Sequence, residues 1–239
     1  MIELNVAWMY PDILCLHGDR GNLLALKIIG EKLDVNVVIH RINSYGEDID
    51  FSKIDLVLFP SGEIKVISKI TEDLLRYKEV LKDKSILAIG TAGSIIANKT
   101  TRKNGEEIKG LGIIDIECIE REKFCGDDIY FEVDDFEMIG VQIPTMDIKL
   151  NEVKPLGKIK YGYGNDGKEF EGAQDKNIIF TNCLGPVLVK NPWFTEQIIK
   201  KAMKNKGVEI EKNINKEEYD YEINSLEYIK KFIAEKESK

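Results

Sequence analysis

The chain has 239 residues, 43% of them hydrophobic and 32% charged, and a formal net charge of −8. This fits one large globular domain, or one domain with a small appendage. The acidity argues against non-specific binding to nucleic acid or to an acidic membrane.

No apolar run approaches the roughly 20 residues of a membrane span, and the start reads as a first strand rather than a signal peptide. Cys15, Cys118, Cys125 and Cys183 have no close paired spacing. They read as reduced thiols of a cytoplasmic protein, not as a disulfide frame or zinc site.

In chain order, "ELNVAW" reads as a strand, "NLLALKIIGEKL" as a helix, and "VNVVIHRI" and "DLVLFPSG" as strands. "TEDLLRYKEVLKDK" reads as a helix and "SILAIG" as a strand, with Asn22 and Thr71 as helix N-caps. Near-continuous apolar strands alternating with helices predict an open, mostly parallel sheet with helices on both faces. From Lys109 to Gly185 short strands dominate, including "GLGIIDIECIE", "DIYFEV", "FEMIGVQI", "GKIKYGYGN" and "NIIFTNCLG". These predict a mixed or antiparallel extension. A helix follows over "PWFTEQIIKKAMKNKG", with Asn191 as N-cap, Pro192 in its first turn and Gly207 as its stop. Residues 1–211 read as the main domain. Residues 212–239 form a charged segment closing in an amphipathic helix marked by Leu226, Ile229 and Ile233.

Four stretches qualify as sites. "SILAIGTAGSIIA" runs from a strand through a small-residue turn into a helix. Its helix start offers N–H donors, and Thr91 or Ser94 becomes a nucleophile only with a base close by. The plainer reading is a tight turn with a capping Ser or Thr, and Gly90-x-x-Gly93 is too short for a dinucleotide fingerprint. "YPDILCLHGDRGN" follows the first strand, where open α/β sheets often carry function. Here Asp19 and Arg20 either brace a loop as an ion pair or bind a ligand, and His17 is the one histidine in a plausible site loop. His40 reads as a satisfied structural histidine. "FPSGEI" either offers backbone amides to a ligand or simply turns the chain. In "TNCLGPVLVKNP", Cys183 is a candidate nucleophile, but a small buried core thiol suits it better.

Taken in order, "MYPDILCLHGDRGNLLALK", "DLVLFPSGE", the elbow, "GLGIIDIE", "KPLGKIKYGYGNDGKEFEG" and "GPVLVKNPWFTEQII" resemble the CobB/CobQ-type class I glutamine amidotransferases. The resemblance is greatest to their GatD branch, the glutaminase subunits of lipid II isoglutaminyl synthase. It implies an elbow cysteine that attacks the glutamine amide, a histidine base, an oxyanion hole from glycine-loop and elbow amides, no cofactor, and ammonia delivery to a Mur-ligase-like (MurT-type) partner.

Carried over residue by residue, the nucleophile falls on Gly90 and the base on Leu184. The oxyanion loop falls on Pro60-Ser61-Gly62, a glutamine-holding arginine on Lys123, and an asparagine–histidine pair on Ile143-Pro144. Gly62, Lys123 and Thr91 are then the candidate substrate contacts, with glutamine or another small molecule as ligand. The expectation is a non-catalytic partner of the ligase in cell-wall precursor modification. The alternatives are an active amidotransferase using Thr91 or Cys183 with His17, and a small-molecule sensor in the vacated pocket.

Overall fold

In a computed structural model, residues 2–123 and 125–238 are described; the first and last residues of the two predicted segments, Met1 and Lys239, lie outside them. The main sheet holds β1 (Ile2–Met9), β2 (Val35–Ile42), β3 (Leu56–Phe59), β4 (Ser85–Ile89), β13 (Ala173–Asp175) and β14 (Ile178–Thr181). Its order is β13-β14-β4-β3-β1-β2, parallel except for β13 at one edge. The central strands β3, β4 and β14 are buried at every residue, as a sheet covered on both faces demands. Edge strand β2 is only partly buried, with Val35, Val37 and Ile42 facing inward.

One face packs against α1 (Arg20–Lys32), α6 (Pro192–Asn205) and an antiparallel sheet. That sheet holds β8 (Asp127–Val133), β9 (Phe136–Gln142), β11 (Gly157–Tyr161) and β12 (Phe170–Glu171), in the order β12-β11-β8-β9. The other face packs against α2 (Ile67–Leu74), α3 (Lys78–Lys82), α4 (Gly93–Ile96) and part of a mixed four-stranded sheet. That sheet holds β5 (Lys99–Thr101), β6 (Glu107–Lys109), β7 (Ile116–Glu120) and β10 (Met146–Leu150). The remaining helices are α5 (Val187–Lys190) and α7 (Asp220–Glu237). No helix is long and apolar enough to cross a membrane.

The observed α/β architecture matches the expected one, with local corrections. "NIIFTNCLG" is not part of the antiparallel extension, because β14 lies parallel to β4 in the main sheet. The extension consists of two sheets, one antiparallel and one mixed, and it includes β5, β6 and β10, which had not been read as strands. Thr71 is not an N-cap: it sits inside α2, buried, its hydroxyl without a partner. Asn22 is not one either, since α1 starts at Arg20. Asn22 instead accepts from Leu188 N–H at 2.9 Å, tying α1 to α5 across 166 residues of sequence.

Asn191 does stand before α6, but its side chain serves β9. It accepts from Ile139 N–H at 3.0 Å and donates to Ile139 O at 2.9 Å and to Val187 O at 2.8 Å. That satisfies a strand edge that would otherwise be buried unpaired. Gly207 stops α6 with φ +85°, a left-handed C-terminal residue suited to glycine. The tail docks: Ile214, Tyr219, Leu226 and Ile233 are buried, and Ile229 is half-buried.

Asn191→Ala should cost about 2–4 kcal/mol in urea-melt stability, because it strands both backbone groups of Ile139 in the core.

Candidate functional site

The carboxyl ends of β3, β4 and β14 and the loop after β1 meet at one edge of the main sheet, where open α/β folds place ligands. They surround a cavity of about 200 Å³ lined by Leu16, His17, Ser61, Gly62, Gly90, Thr91, Ile143, Thr145, Met146, Asn182 and Leu184. The fold therefore brings His17, Gly62, Gly90, Thr91 and Leu184 together. Lys123 is exposed in the loop after β7 and is not among the lining residues.

The elbow turns sharply at Gly90, where φ is +57°. That left-handed value costs any other residue roughly 1–2 kcal/mol. A Cβ built on Gly90 would stand 2.7 Å from Ser61 Oγ and 2.9 Å from Leu184 Cδ2. The volume that an elbow side chain needs is thus filled by these two residues. Ser94 does not cap the following helix. It lies inside α4, fully buried, and its hydroxyl donates to Met146 Sδ at 3.0 Å.

Thr91 closes the turn. Its hydroxyl donates to Gly62 O at 2.6 Å and accepts from Gly62 N–H at 2.9 Å. Thr91 N–H in turn points at Ser61 Oγ, 3.4 Å away. The two amides that the resemblance would make oxyanion donors, Gly62 N–H and Thr91 N–H, therefore both face the chain's own oxygens. Glycine suits position 62, because a Cβ there would stand 2.4 Å from Leu14 Cδ2 and 3.1 Å from Ile13 O.

Cys183 does not line the cavity. It is fully buried, and its Sγ faces Ile139 O at 3.6 Å. A Cβ on Gly140 would collide with that sulfur, so strand β9 leaves room for it. Burial pushes the thiol far up, and the neighbouring Glu171 carboxylate adds to this. A thiol held protonated beside a backbone carbonyl is the buried core thiol, not an attacking group.

The first loop folds onto the last. Asp19 is 1% exposed; it accepts from His17 N–H at 3.4 Å and from Asn22 Nδ2 at 3.4 Å. Arg20 is exposed, so the expected Asp19–Arg20 brace is replaced by these neutral donors. Without a countercharge, burial lifts the Asp19 carboxyl from 3.8 to about 6. Burial lowers the His17 imidazole, so the ring facing the cavity is neutral over a wider pH range. A Cβ on Gly21 would stand 2.6 Å from Pro186 Cγ, which packs "GDRGN" directly on Gly185-Pro186. His40 lies in β2, its Nε2 2.8 Å from Asn5 Oδ1, in a structural role.

Asn182 was not singled out in the sequence. It contacts Glu171 through its N–H at 2.7 Å and its Nδ2 at 3.0 Å, while Thr181 Oγ1 donates to Glu171 at 2.7 Å. Glu171 is fully buried, and burial raises its carboxyl. Asn165, at the end of "YGYGN", accepts from Asn182 Nδ2 at 3.0 Å and bonds both backbone groups of Gly172 at 2.8 Å. This network carries one wall of the cavity. Its signal in the sequence is faint, since Glu171, Thr181 and Asn182 look like ordinary strand-end residues.

Thr91→Val should destabilise the chain by about 2–3 kcal/mol, because it leaves Gly62 N–H and C=O buried without partners; Thr91→Ser should lose about half of that or less. Urea melts of both variants check it. A second expectation concerns pH. The folded chain holds the Asp19 proton up to about 6, so its contribution is full below the unfolded value and is lost as pH rises through about 6. Asp19→Asn should therefore gain stability relative to the parent between about pH 4 and pH 7, read by paired melts.

No family model matches the chain. It is 30% identical over 217 residues to subunit GatD of the glutamine-hydrolyzing lipid II isoglutaminyl synthase of Staphylococcus aureus, covering 88% of this chain and 89% of that protein. It is 29% identical over 215 residues to the same subunit of Streptococcus pneumoniae, covering 85% of this chain and 82% of that one. Among solved structures, that of PurLQS from Thermotoga maritima covers 82% of this chain and 98% of that one, with a TM-score of 0.57 and 12% identity, a likeness of fold. With this identity across nearly the whole length of both chains, the chain belongs to the GatD family of glutamine amidotransferase-like proteins.

Proposed function

We propose that this chain is a non-catalytic GatD-type subunit that works bound to a Mur-ligase-like (MurT-type) amidating enzyme, in a cytoplasmic heterodimer that modifies cell-wall precursor. Residues 1–211 would form the amidotransferase-like domain, and 212–239 its appended segment. The observation that carries this reading is the filled elbow. Where the family resemblance implies a cysteine, Gly90 stands against Ser61 Oγ and Leu184 Cδ2. Where it implies a free oxyanion donor, Gly62 N–H already donates to Thr91. Where it implies a histidine base, Leu184 is packed and 4% exposed. Nucleophile, base and oxyanion donor are each replaced by packing or by an internal bond, while the scaffold remains.

A docking face is available beside the cavity mouth. Leu24 and Ile28 lie one turn apart on α1, 51% and 57% exposed, and Leu16 and Val189 on the flanking loop and α5 are also exposed. A cluster of this kind is a common signature of an interaction site.

The competing reading, glutamine hydrolysis at Thr91 with His17 as base, has one observation in its favour: both residues line the same cavity. Against it, the Thr91 proton is held by Gly62 O at 2.6 Å.

The test is purification with the candidate ligase, followed by ammonia release from glutamine and labelling with a glutamine-analogue alkylator. Expected are a stable complex, amidation supported by free ammonium, and neither glutamine turnover nor adduct. Leu24→Glu and Ile28→Glu should weaken the complex by about tenfold or more. Gly90→Cys alone should restore no turnover. An adduct on Thr91 or steady ammonia release sinks the non-catalytic reading, and failure of any Mur-ligase-like chain to bind sinks the pairing.

A further inference from the structure

A second cavity lies beside the elbow cavity. Ile143 and Thr145 line the elbow cavity, while their neighbours Gln142 and Pro144 line the second one. The connection from β9 to β10 therefore divides the two. The second cavity has a volume of about 460 Å³ and is also lined by Arg121, Asp127, Tyr161 and Tyr163. That is room for a small ligand.

Most polar groups of this cavity are already engaged within the chain. Gln142 bonds both backbone groups of Gly164 and accepts from Tyr163 N–H at 3.2 Å. The Tyr163 hydroxyl donates to Asp147 at 2.9 Å. The Tyr161 hydroxyl donates to Asp127 at 2.9 Å, and Lys236 bonds both Asp127 oxygens at 3.0 Å. The Cys125 thiol faces Gly126 O at 3.6 Å.

Arg121 is the exception. Its side chain is only 21% exposed, and its Nε stands 3.6 Å from Asp147 Oδ1, too far for a hydrogen bond. The guanidinium carbon lies 3.8 Å from the centre of the Tyr163 ring, a cation–π contact that fixes its position. Nη1 is buried and has no hydrogen-bond partner among the described residues. A partly desolvated guanidinium with unmet donors is costly, and an oxyanion is the group that meets them. Charge limits which oxyanion fits. Arg121 and Lys236 are already matched by Asp127 and Asp147. A single added negative charge is therefore tolerated better than a double one. Tyr161 and Pro144 offer a flat, largely apolar wall.

We propose that this cavity binds a small monocarboxylate with a planar, apolar body. The carboxylate sits on the Arg121 guanidinium, and the body lies against Tyr161 and Pro144. The site is separate from the elbow and does not depend on the ligase reading.

Isothermal titration of the full chain tests it, with benzoate as the probe, benzamide as its neutral counterpart and phenyl phosphate as its dianionic one. Benzoate should bind with a dissociation constant of about 1 mM or tighter. Benzamide and phenyl phosphate should each bind at least about tenfold more weakly. Arg121→Gln should weaken benzoate at least about tenfold, and Arg121→Lys should lose part of that, since lysine keeps the charge without the fork. A second measurement uses the unaltered chain, so it holds even if these variants fail to fold. Phenylglyoxal modifies arginines, and benzoate should slow its reaction at Arg121 but not at exposed Arg20, read by peptide mass spectrometry. Absence of benzoate binding overturns the proposal, as does benzamide or phenyl phosphate binding as tightly as benzoate. A folded Arg121→Gln chain that binds benzoate like the parent also overturns it, and so does an Arg121 left unprotected by benzoate.

Discussion

The hydroxyl of Thr91 holds two neighbouring strand ends together, and the geometry of the sheet edge follows from it. β3 and β4 are adjacent and parallel, so the loops that leave them emerge side by side, about 5 Å apart. Each needs its backbone groups satisfied as it turns away from the sheet. By donating to Gly62 O and accepting from Gly62 N–H, the Thr91 hydroxyl meets both needs of one residue with a single atom. This fixes Ser61 against Gly90, where it takes up the room of an elbow side chain. Thr91 is thus a strut, and its burial inside these bonds argues against reading it as an attacking group.

The opposite wall depends on a different device. Glu171 is buried without a cation and is held by three donors from Thr181 and Asn182. A buried carboxyl met only by neutral donors is tolerable because it keeps its proton more readily, which is the direction burial imposes. The network links β12 to β14, and Asn165 extends it to the "YGYGN" turn. That turn is itself gripped by Gln142, which accepts from Gly164 N–H at 3.0 Å and donates to Gly164 O at 2.7 Å. The antiparallel sheet is in this way joined to the parallel one beside the cavity, and both sheets contribute to a single lining.

Two of the stretches that carry the family resemblance prove to be structural joints. "GDRGN" packs its glycine on Pro186 and sends Asn22 to Leu188, so the first loop and the last close over the cavity from one side. "YGYGN" supplies Asn165, which braces the cavity-lining Asn182 from behind. The scaffold around the elbow is intact, then, while its interior is filled. A surface suited to holding a partner is compatible with that combination, since binding asks for shape and exposed apolar area rather than for a reactive group.

Periodicity and small-residue turns were enough to read the parallel core, the elbow at Gly90, the stop at Gly207 and the amphipathic tail, because each is a local property of chain geometry. Residue identity alone removed side-chain chemistry from Gly90 and Leu184. The rest needed the tertiary structure. Whether Cys183 faced the cavity or β9 depended on which side of a strand end pointed at Gly140. The caps expected at Asn22 and Ser94 failed because both side chains are buried and bond long-range partners instead, and Thr71 failed because it lies buried inside α2 rather than at its start. The strands β5 and β6 are three residues each and mostly polar, so little in their local pattern announces them, and β10 is placed by pairing with β7 some 26 or more residues earlier in the sequence. Only the fold decided that Ser61, Thr91 and Leu184 would converge on one elbow, since 123 residues separate the first from the last and packing alone brings them into contact.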